Sequence, residues 1–307
     1  MGRTADRRTP PRSPGARPAP GSGPRIRWLP MEPLRVPGPG RRARRLPVLL
    51  ALLALTVTPA PVRATAVPDD CRRPVAQPAA PTGMSGAVNR RIATSERVVA
   101  LTFNAAWDDS GVPEVLGVLR RHKAPATFFM TGRFAERHPA AARAIAAEHG
   151  VASHSYRHPD FAGLTRQEAC REVRRADRAI RRATGAVPLP FFRFPYSSVP
   201  PERLADVNAL GFADVEYSAD TNGYLGERGG MTVAKAVSRA LDALGPGEIV
   251  QMHVGAGDGG PGLDAPALPL IIDTVRARGY RVVDLRALLK PPLPGRGPRT
   301  WPASGRR

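Results

Sequence analysis

The sequence is short of several features, and each shortage closes off a class of protein. It has only two cysteines, Cys71 and Cys170, in 307 residues. No ligand spacing beside either one supports a cysteine metal site, and an even count permits at most one disulfide. No apolar run is long enough for a comfortable membrane span: Leu46 to Val57 is twelve residues, against about twenty for a spanning helix. Acidic residues are nearly missing from residues 1–66, where Asp6 and Glu32 face 13 of the 46 basic residues. The formal charge of +20 therefore falls to 33 basic against 24 acidic residues once that stretch is set aside. No zinc-finger, basic-zipper or other nucleic-acid motif accompanies the positive charge, so nucleic acid is not the expected partner. The remaining excess favours anionic surfaces such as a bacterial wall. There is no internal repeat.

The N-terminal part reads as an export signal. Arg41, Arg42, Arg44 and Arg45 precede the Leu46–Val57 run, and Ala64-Thr65-Ala66 offers a small-residue cleavage site with the cut after Ala66. Met31 opens a segment of ordinary signal length, so residues 1–30 read as an extension upstream of the true start. An uncleaved anchor is the other reading of the same run. The expected location is secreted or wall-associated, with no stable membrane span after cleavage. Residues 67–94, rich in Pro, Ala and Gly, read as a linker, 95–290 as the folded domain, and 291–307 as a disordered basic tail.

Within the domain, short apolar runs alternate with helical spacings. Strands are expected at Val98–Phe103, Ala126–Met130, Val151–Ser153, Phe191–Phe194, Ala213–Tyr217, Ile249–Met252 and Arg281–Val283. Helices are expected at Val112–Arg121, Phe134–Glu148, Thr165–Ala183 and about 201–210, 232–244 and 266–278. Thr165 with Glu168 three residues on forms a capping box, and Gly185 lies past that helix's end. The alternation predicts an α/β fold with a parallel sheet and helices outside it, compatible with closure into a barrel.

Reactive groups in such folds gather at the C-terminal ends of the strands. Here those ends read Thr102-Phe103-Asn104-Ala105-Ala106-Trp107-Asp108-Asp109, then His154-Ser155-Tyr156-Arg157-His158, Arg193-Phe194-Pro195-Tyr196, Ser218-Ala219-Asp220-Thr221-Asn222 and Gln251-Met252-His253. His154 and His158, four apart, can present both imidazoles to one side. With a carboxylate from the first segment they would form a two-histidine, one-carboxylate metal site with open positions, the type that acidifies a bound water and polarises a carbonyl.

Taken together, the five segments resemble the polysaccharide deacetylase family, the NodB-like carbohydrate esterases, over about residues 97–289. The resemblance implies a distorted (β/α) barrel of seven or eight parallel strands, a divalent metal of the Zn2+ type, and a hydrolase that removes N- or O-acetyl groups from a polysaccharide such as peptidoglycan or a chitin-like glycan. Carried over by motif, His154 and His158 are metal ligands, Arg193 orients the catalytic carboxylate, Tyr196 helps bind substrate, Asp220 supports the arginine–histidine network, and His253 is the general acid. Gln251 stands where leucine is usual. The first segment departs from the family's Thr-Phe-Asp-Asp: Asn104 replaces the base aspartate, and an amide does not accept a proton as a carboxylate does. Asp109 is the preferred carboxylate ligand and Asp108 the second choice; the base is either Asp108 or none, if a metal hydroxide forms near neutral pH. Asn104 then serves as a hydrogen-bond partner for water.

Trp107 reads equally as a groove-lining or a core residue. His122, His138 and His149 read as non-catalytic, and the arginine run Arg174, Arg175, Arg178, Arg181 and Arg182 as a solvated helix face. Asp258 and Asp264, in the Gly-rich loop after His253, could reach the cleft, although a plain loop role is the first reading of each. Two other functions stay open: a non-catalytic carbohydrate-binding or wall-associated protein on the same fold, motivated by Asn104, and a glycosidase, which would need two carboxylates across one cleft.

Overall fold

The computed structural model describes residues 71, 73–75, 77–256 and 262–289. The expected export signal, the expected tail and Asp258 lie outside the described residues. The chain runs β1 (Val98–Ala105), α1 (Val112–Arg121), β2 (Thr127–Met130), α2 (Gly132–Arg137), α3 (Pro139–Glu148), β3 (Gly150–Ser153), α4 (Arg166–Thr184), β4 (Phe191–Phe192), α5 (Pro201–Ala209), β5 (Ala213–Asp214), β6 (Ala219–Asp220), α6 (Val233–Asp242), β7 (Glu248–His253), α7 (Asp264–Ala277) and β8 (Arg281–Val283). All strand pairings are parallel, in the order β5-β4-β3-β2-β1-β7-β6, with β8 beside the N-terminal half of β1. This is the distorted (β/α) barrel that the alternation and the resemblance imply, left open between β5 and β6.

Strand parity decides what lines the barrel, because alternate side chains face opposite sides. Val99, Leu101, Phe103 and Ala105 of β1, Phe128 and Met130 of β2, and Val250 and Met252 of β7 pack outward against the helices. The inward set begins apolar, with Ala100, Phe129, Ala152, Phe191, Ala213 and Ile249 in one cluster. Two residues further along the same faces it turns polar: Thr102 and Asn104, His154, Arg193, and Gln251 and His253. The β1–β7 register sets Thr102 beside Gln251 and Asn104 beside His253.

Two elements differ from the sequence-based expectation. The single helix expected over 134–148 is two, because Pro139 has no N–H and disfavours helical geometry at the residue before it; His138 accordingly has φ −125° and ψ 57°. The expected strand 213–217 stops at Asp214, and Ala219–Asp220 forms a separate short strand on β7. The capping box at Thr165 and the left-handed Gly185 end α4 as expected.

The segment expected as a linker has no helix or long strand over its described residues, yet it packs on the domain. Met84 and Ile92 are buried with Phe191 and Leu285. Asn89 donates to the carbonyls of Met84 and Asp214 at 2.9 and 2.8 Å. Bridges from Asn89 to Val215 and from Arg91 to Glu248 lay this strap across the opening between β5 and the β6–β7 side. Cys71 and Cys170 form the permitted disulfide across a separation of 99 residues, a loop length whose closure stabilises by about 4–5 kcal/mol in the chain-entropy model.

Under the strap, burial pushes the Glu248 carboxyl up to about 7. Below the unfolded-state value both states are protonated, so burial costs nothing. As pH rises towards 7 the unfolded chain gains by ionising while the folded one does not, and stability falls. Glu248→Gln, which keeps an acceptor for the Gly245 N–H, should therefore raise stability by about 2–3 kcal/mol at pH 8 and change it little near pH 4. Urea unfolding at the two pH values checks this.

Candidate active site

The polar layer converges on Arg193, which is 1 % exposed. Its Nε donates to the Val215 carbonyl at 3.0 Å, Nη1 to Asn104 Oδ1 at 3.1 Å and Gln251 Oε1 at 3.3 Å, and Nη2 to Thr102 Oγ1 at 3.0 Å and the Glu216 carbonyl at 3.3 Å. The guanidinium also stacks 3.9 Å from the Phe129 ring centroid. Burial lowers its pKa to about 10, opposed first by Glu216, so it stays charged at neutral pH.

His154 ends β3 and is fixed by Arg193 in a second way. Its Nδ1 lies 2.8 Å from the Arg193 carbonyl, which only accepts, so the ring proton is on Nδ1 and Nε2 presents a lone pair. His158 Nε2 lies 3.1 Å from that lone pair. The loop between them is clamped by buried Glu172 of α4, which accepts from the N–H groups of Tyr156 and Arg157 at 3.1 and 2.8 Å. Burial holds His154 well below its ordinary pKa, with His158 adding to the effect, and lowers His158 to about 4. Both imidazoles are thus neutral at pH 7, as ligands must be. Trp107 and Tyr196, half or more exposed, flank the His158 ring at 5.0 and 4.7 Å. Ser155, His158, Tyr196, Ser197 and Asn222 all have φ between 52° and 65°, a left-handed geometry that non-glycine residues hold only when their surroundings enforce it.

The structure does not bring the first segment's carboxylates to the histidine pair. Asp109 pairs with His138 at 3.1 Å, and His138 Nε2 lies 3.2 Å from the Trp107 carbonyl. Asp108 accepts from the Ser110 N–H and hydroxyl and lies against the Gly255 backbone. Among the described residues, no group of three or more His, Cys, Asp or Glu side chains is set to hold a metal. The fit for a metal is therefore partial: the two imidazole nitrogens suit adjacent positions around one ion, and the Arg193 carbonyl holds His154 Nδ1 as a backbone carbonyl commonly orients a ligating ring. The third ligand expected from Asp109 or Asp108 is absent from this arrangement, because each carboxylate is already engaged by a nearer local donor.

Asp220 supports the arginine only through an intermediary. Its Oδ2 accepts from Gln251 Nε2 at 2.9 Å, and Gln251 Oε1 accepts from Asn104 Nδ2 and Arg193. Gln251 is thus a buried relay between strands. It had registered in the sequence only as a polar substitution at a leucine position. Burial raises the Asp220 pKa. His253 lies at the end of β7, with Nε2 3.4 Å from Asn104 Nδ2 and its ring 4.5 Å from that of Tyr224. Burial lowers its pKa to about 3. Behind it, Asp264 accepts the His253 backbone N–H at 2.8 Å, and burial pushes its carboxyl up to about 7. Glu216, which accepts from the Phe194 N–H and the Ser197 hydroxyl, pins the Arg-Phe-Pro-Tyr loop. Thr102 was legible as the inward neighbour of Asn104, two residues back on the same strand face. Glu172 and Glu216 carried no motif signal.

A family model described as polysaccharide deacetylase matches residues 91–215. A chitooligosaccharide deacetylase of Bradyrhizobium sp. (strain ANU 289) is 35% identical over 202 residues, covering 62% of this chain and 90% of that protein. The chain belongs to the polysaccharide deacetylase family. Family membership places it among hydrolases of amide bonds other than peptide bonds. A peptidoglycan-N-acetylglucosamine deacetylase of Bacillus cereus is 29% identical over 193 residues, covering 62% and 68%. Among solved structures, a CE4 family pseudoenzyme from Bacillus anthracis superposes with a TM-score of 0.61 at 26% identity, covering 67% of this chain and 70% of that one. A mutant of that pseudoenzyme is described as having restored enzymatic activity.

The relay predicts that Gln251→Leu, although it installs the family's usual residue, lowers stability by about 1–3 kcal/mol, because it strips a partner from Arg193, Asn104 and Asp220 together. Urea unfolding of the variant checks it; unchanged stability would show that the relay carries no weight.

Proposed function

We propose that the protein is a secreted polysaccharide deacetylase that hydrolyses N-acetyl, or O-acetyl, groups on a wall or chitin-like glycan. The observation that carries the reading is the convergence of His154, His158, Arg193, Asn104 and His253 at one rim of the barrel, with the exposed rings of Trp107 and Tyr196 against His158. Those rings offer apolar faces on which a sugar can lie. Peptidoglycan is favoured as substrate by the Bacillus relative and by the cationic balance of the domain, which suits an anionic wall. Export is supported by the leader-like N-terminus and by the disulfide, a bond that persists in oxidising compartments. Among the described residues no helix is long and apolar enough to cross a membrane.

His154 and His158 would hold a divalent cation, Zn2+ by ligand type. When bound there, it supplies Lewis-acid polarisation of the acetyl carbonyl and acidifies water towards neutrality. The chain's own residues do the rest. Arg193 fixes His154 through its carbonyl and Asn104 through its guanidinium, so strand ends far apart in sequence keep one geometry. Asn104 orients water but takes no proton. His253 gives a proton to the leaving amine or alkoxide as the bond to the acetyl carbon breaks.

A second reading is a non-catalytic glycan-binding protein. It is favoured by Asn104 and by the engagement of Asp108 and Asp109 elsewhere, and it has a counterpart in the Bacillus anthracis pseudoenzyme. Acetate release from chitooligosaccharides and peptidoglycan, measured together with metal content by mass spectrometry, separates the two. His158→Ala should lose bound metal and acetate release together; full release by that variant would overturn the site. A wild type that binds glycan without releasing acetate, alongside an active Asn104→Asp, would establish the second reading.

A further inference from the structure

Removing a carboxylate from position 104 leaves the reaction without its usual proton acceptor, and the structure sets the buried carboxylate of Asp264 directly behind His253. We propose that Asp264 is a positioning residue for His253, and that the pair supplies the proton acceptor that Asn104 cannot be. The proposal rests on the deacetylase reading above.

Asp264 opens α7 and is 1 % exposed. Its position is built from three sides. Oδ2 accepts the His253 N–H at 2.8 Å, and Oδ1 accepts the Thr221 hydroxyl at 2.5 Å. On the third side is Gly223, where an added Cβ would lie 2.2 Å from Oδ1, so only glycine admits the carboxylate. Oδ2 also stands 3.9 Å from His253 Nδ1, which has no hydrogen-bond partner among the described residues. Contacts of this length in a free enzyme tighten in the substrate complex.

The opposite edge of the ring fixes the tautomer. Arg193 only donates, so Asn104 turns Oδ1 towards it and Nδ2 towards His253 Nε2. An amide nitrogen only donates, so Nε2 is the lone-pair nitrogen and the ring proton sits on Nδ1, facing Asp264. The neutral ring thus offers a base to the rim, whereas an acid role alone would need a proton it does not yet carry.

The proton count then closes. As the water oxygen bonds to the acetyl carbon, one of its protons passes to His253 Nε2, and the Asp264 carboxylate faces the imidazolium that forms. When the tetrahedral adduct collapses, the C–N bond breaks and the same proton passes from Nε2 to the leaving nitrogen. Acetic acid and free amine depart, and the ring is neutral again. With an ester the alkoxide oxygen takes that proton. One histidine serves in sequence as base and acid.

The test uses the full chain at pH 8 and two readouts. In wild type, 15N NMR of the imidazole should show His253 protonated on Nδ1, and Asp264→Asn should shift it towards the Nε2-protonated form. Asp264→Asn keeps the size of the side chain and an acceptor for the His253 N–H; it should lower kcat for acetate release about 10²–10⁴-fold, with KM within about threefold. Gly223→Ala, which displaces the carboxylate without removing it, should lower kcat in the same direction. A wild-type ring protonated on Nε2, or wild-type kcat in Asp264→Asn, overturns the proposal. If neither wild type nor Asn104→Asp releases acetate, the deacetylase reading fails and the base role fails with it, while the NMR tautomer still decides whether Asp264 positions the ring.

Discussion

A buried guanidinium, Arg193, sits at the mouth of the barrel, and the site is arranged around the cost of keeping it dry. Burying a charge is tolerated only where dipoles replace the lost water. Arg193 finds them in two backbone carbonyls, an amide, a second amide and a hydroxyl, drawn from β1, β7 and the β5–β6 connection. Each acceptor is thereby held in place by the same charge. Two of those acceptors, the Val215 and Glu216 carbonyls, lie just past β5, at the end of the sheet where no ladder bonds join β5 to β6. The strap at Asn89–Arg91 does comparable work on the same opening.

From that charge the chemistry follows by strand parity. One face of β1, β3, β4 and β7 runs from apolar to polar within two to four residues, so a dry floor supports a wet rim. The floor resists the charged forms of His154, His158 and His253, which leaves all three as lone-pair donors at neutral pH. The rim is held by carboxylates that never reach the cleft: Glu172 under the histidine loop, Glu216 under the Arg-Phe-Pro-Tyr loop, Asp264 behind His253. These acids accept backbone N–H groups, and so fix the course of the chain at the strand ends. They also stabilise the left-handed residues at the strand ends.

How much of this could be read beforehand varies by element. The capping box at Thr165 and the glycine past α4 were legible because both are local: a hydroxyl, a carboxylate and a left-handed residue within a few turns. The break at His138–Pro139 was missed because the alanine-rich spacing on both sides continues the same helical period. His154 and His158 could be paired from a spacing of four. Asp109 holds the motif position that points to the metal, while its side chain meets His138 from the far end of α2. Gln251 was read only as a departure from the family's leucine, although its amide spans the space between Asp220 and Arg193.

The sequence alone determined the alternation of strands and helices, the single possible disulfide, and the five strand ends that carry reactive groups, because each of these rests on spacing between near neighbours. It also determined that position 104 cannot act as a base, which follows from the chemistry of an amide. Only the tertiary structure decided which acids serve which histidines. Asp264 and His253 are eleven residues apart, Glu172 and the histidine loop about fifteen, and Arg193 and Asn104 eighty-nine. A carboxylate takes whichever donor the packed chain brings within about three ångströms, and that choice is made by the closure of the barrel, not by the order of residues along it.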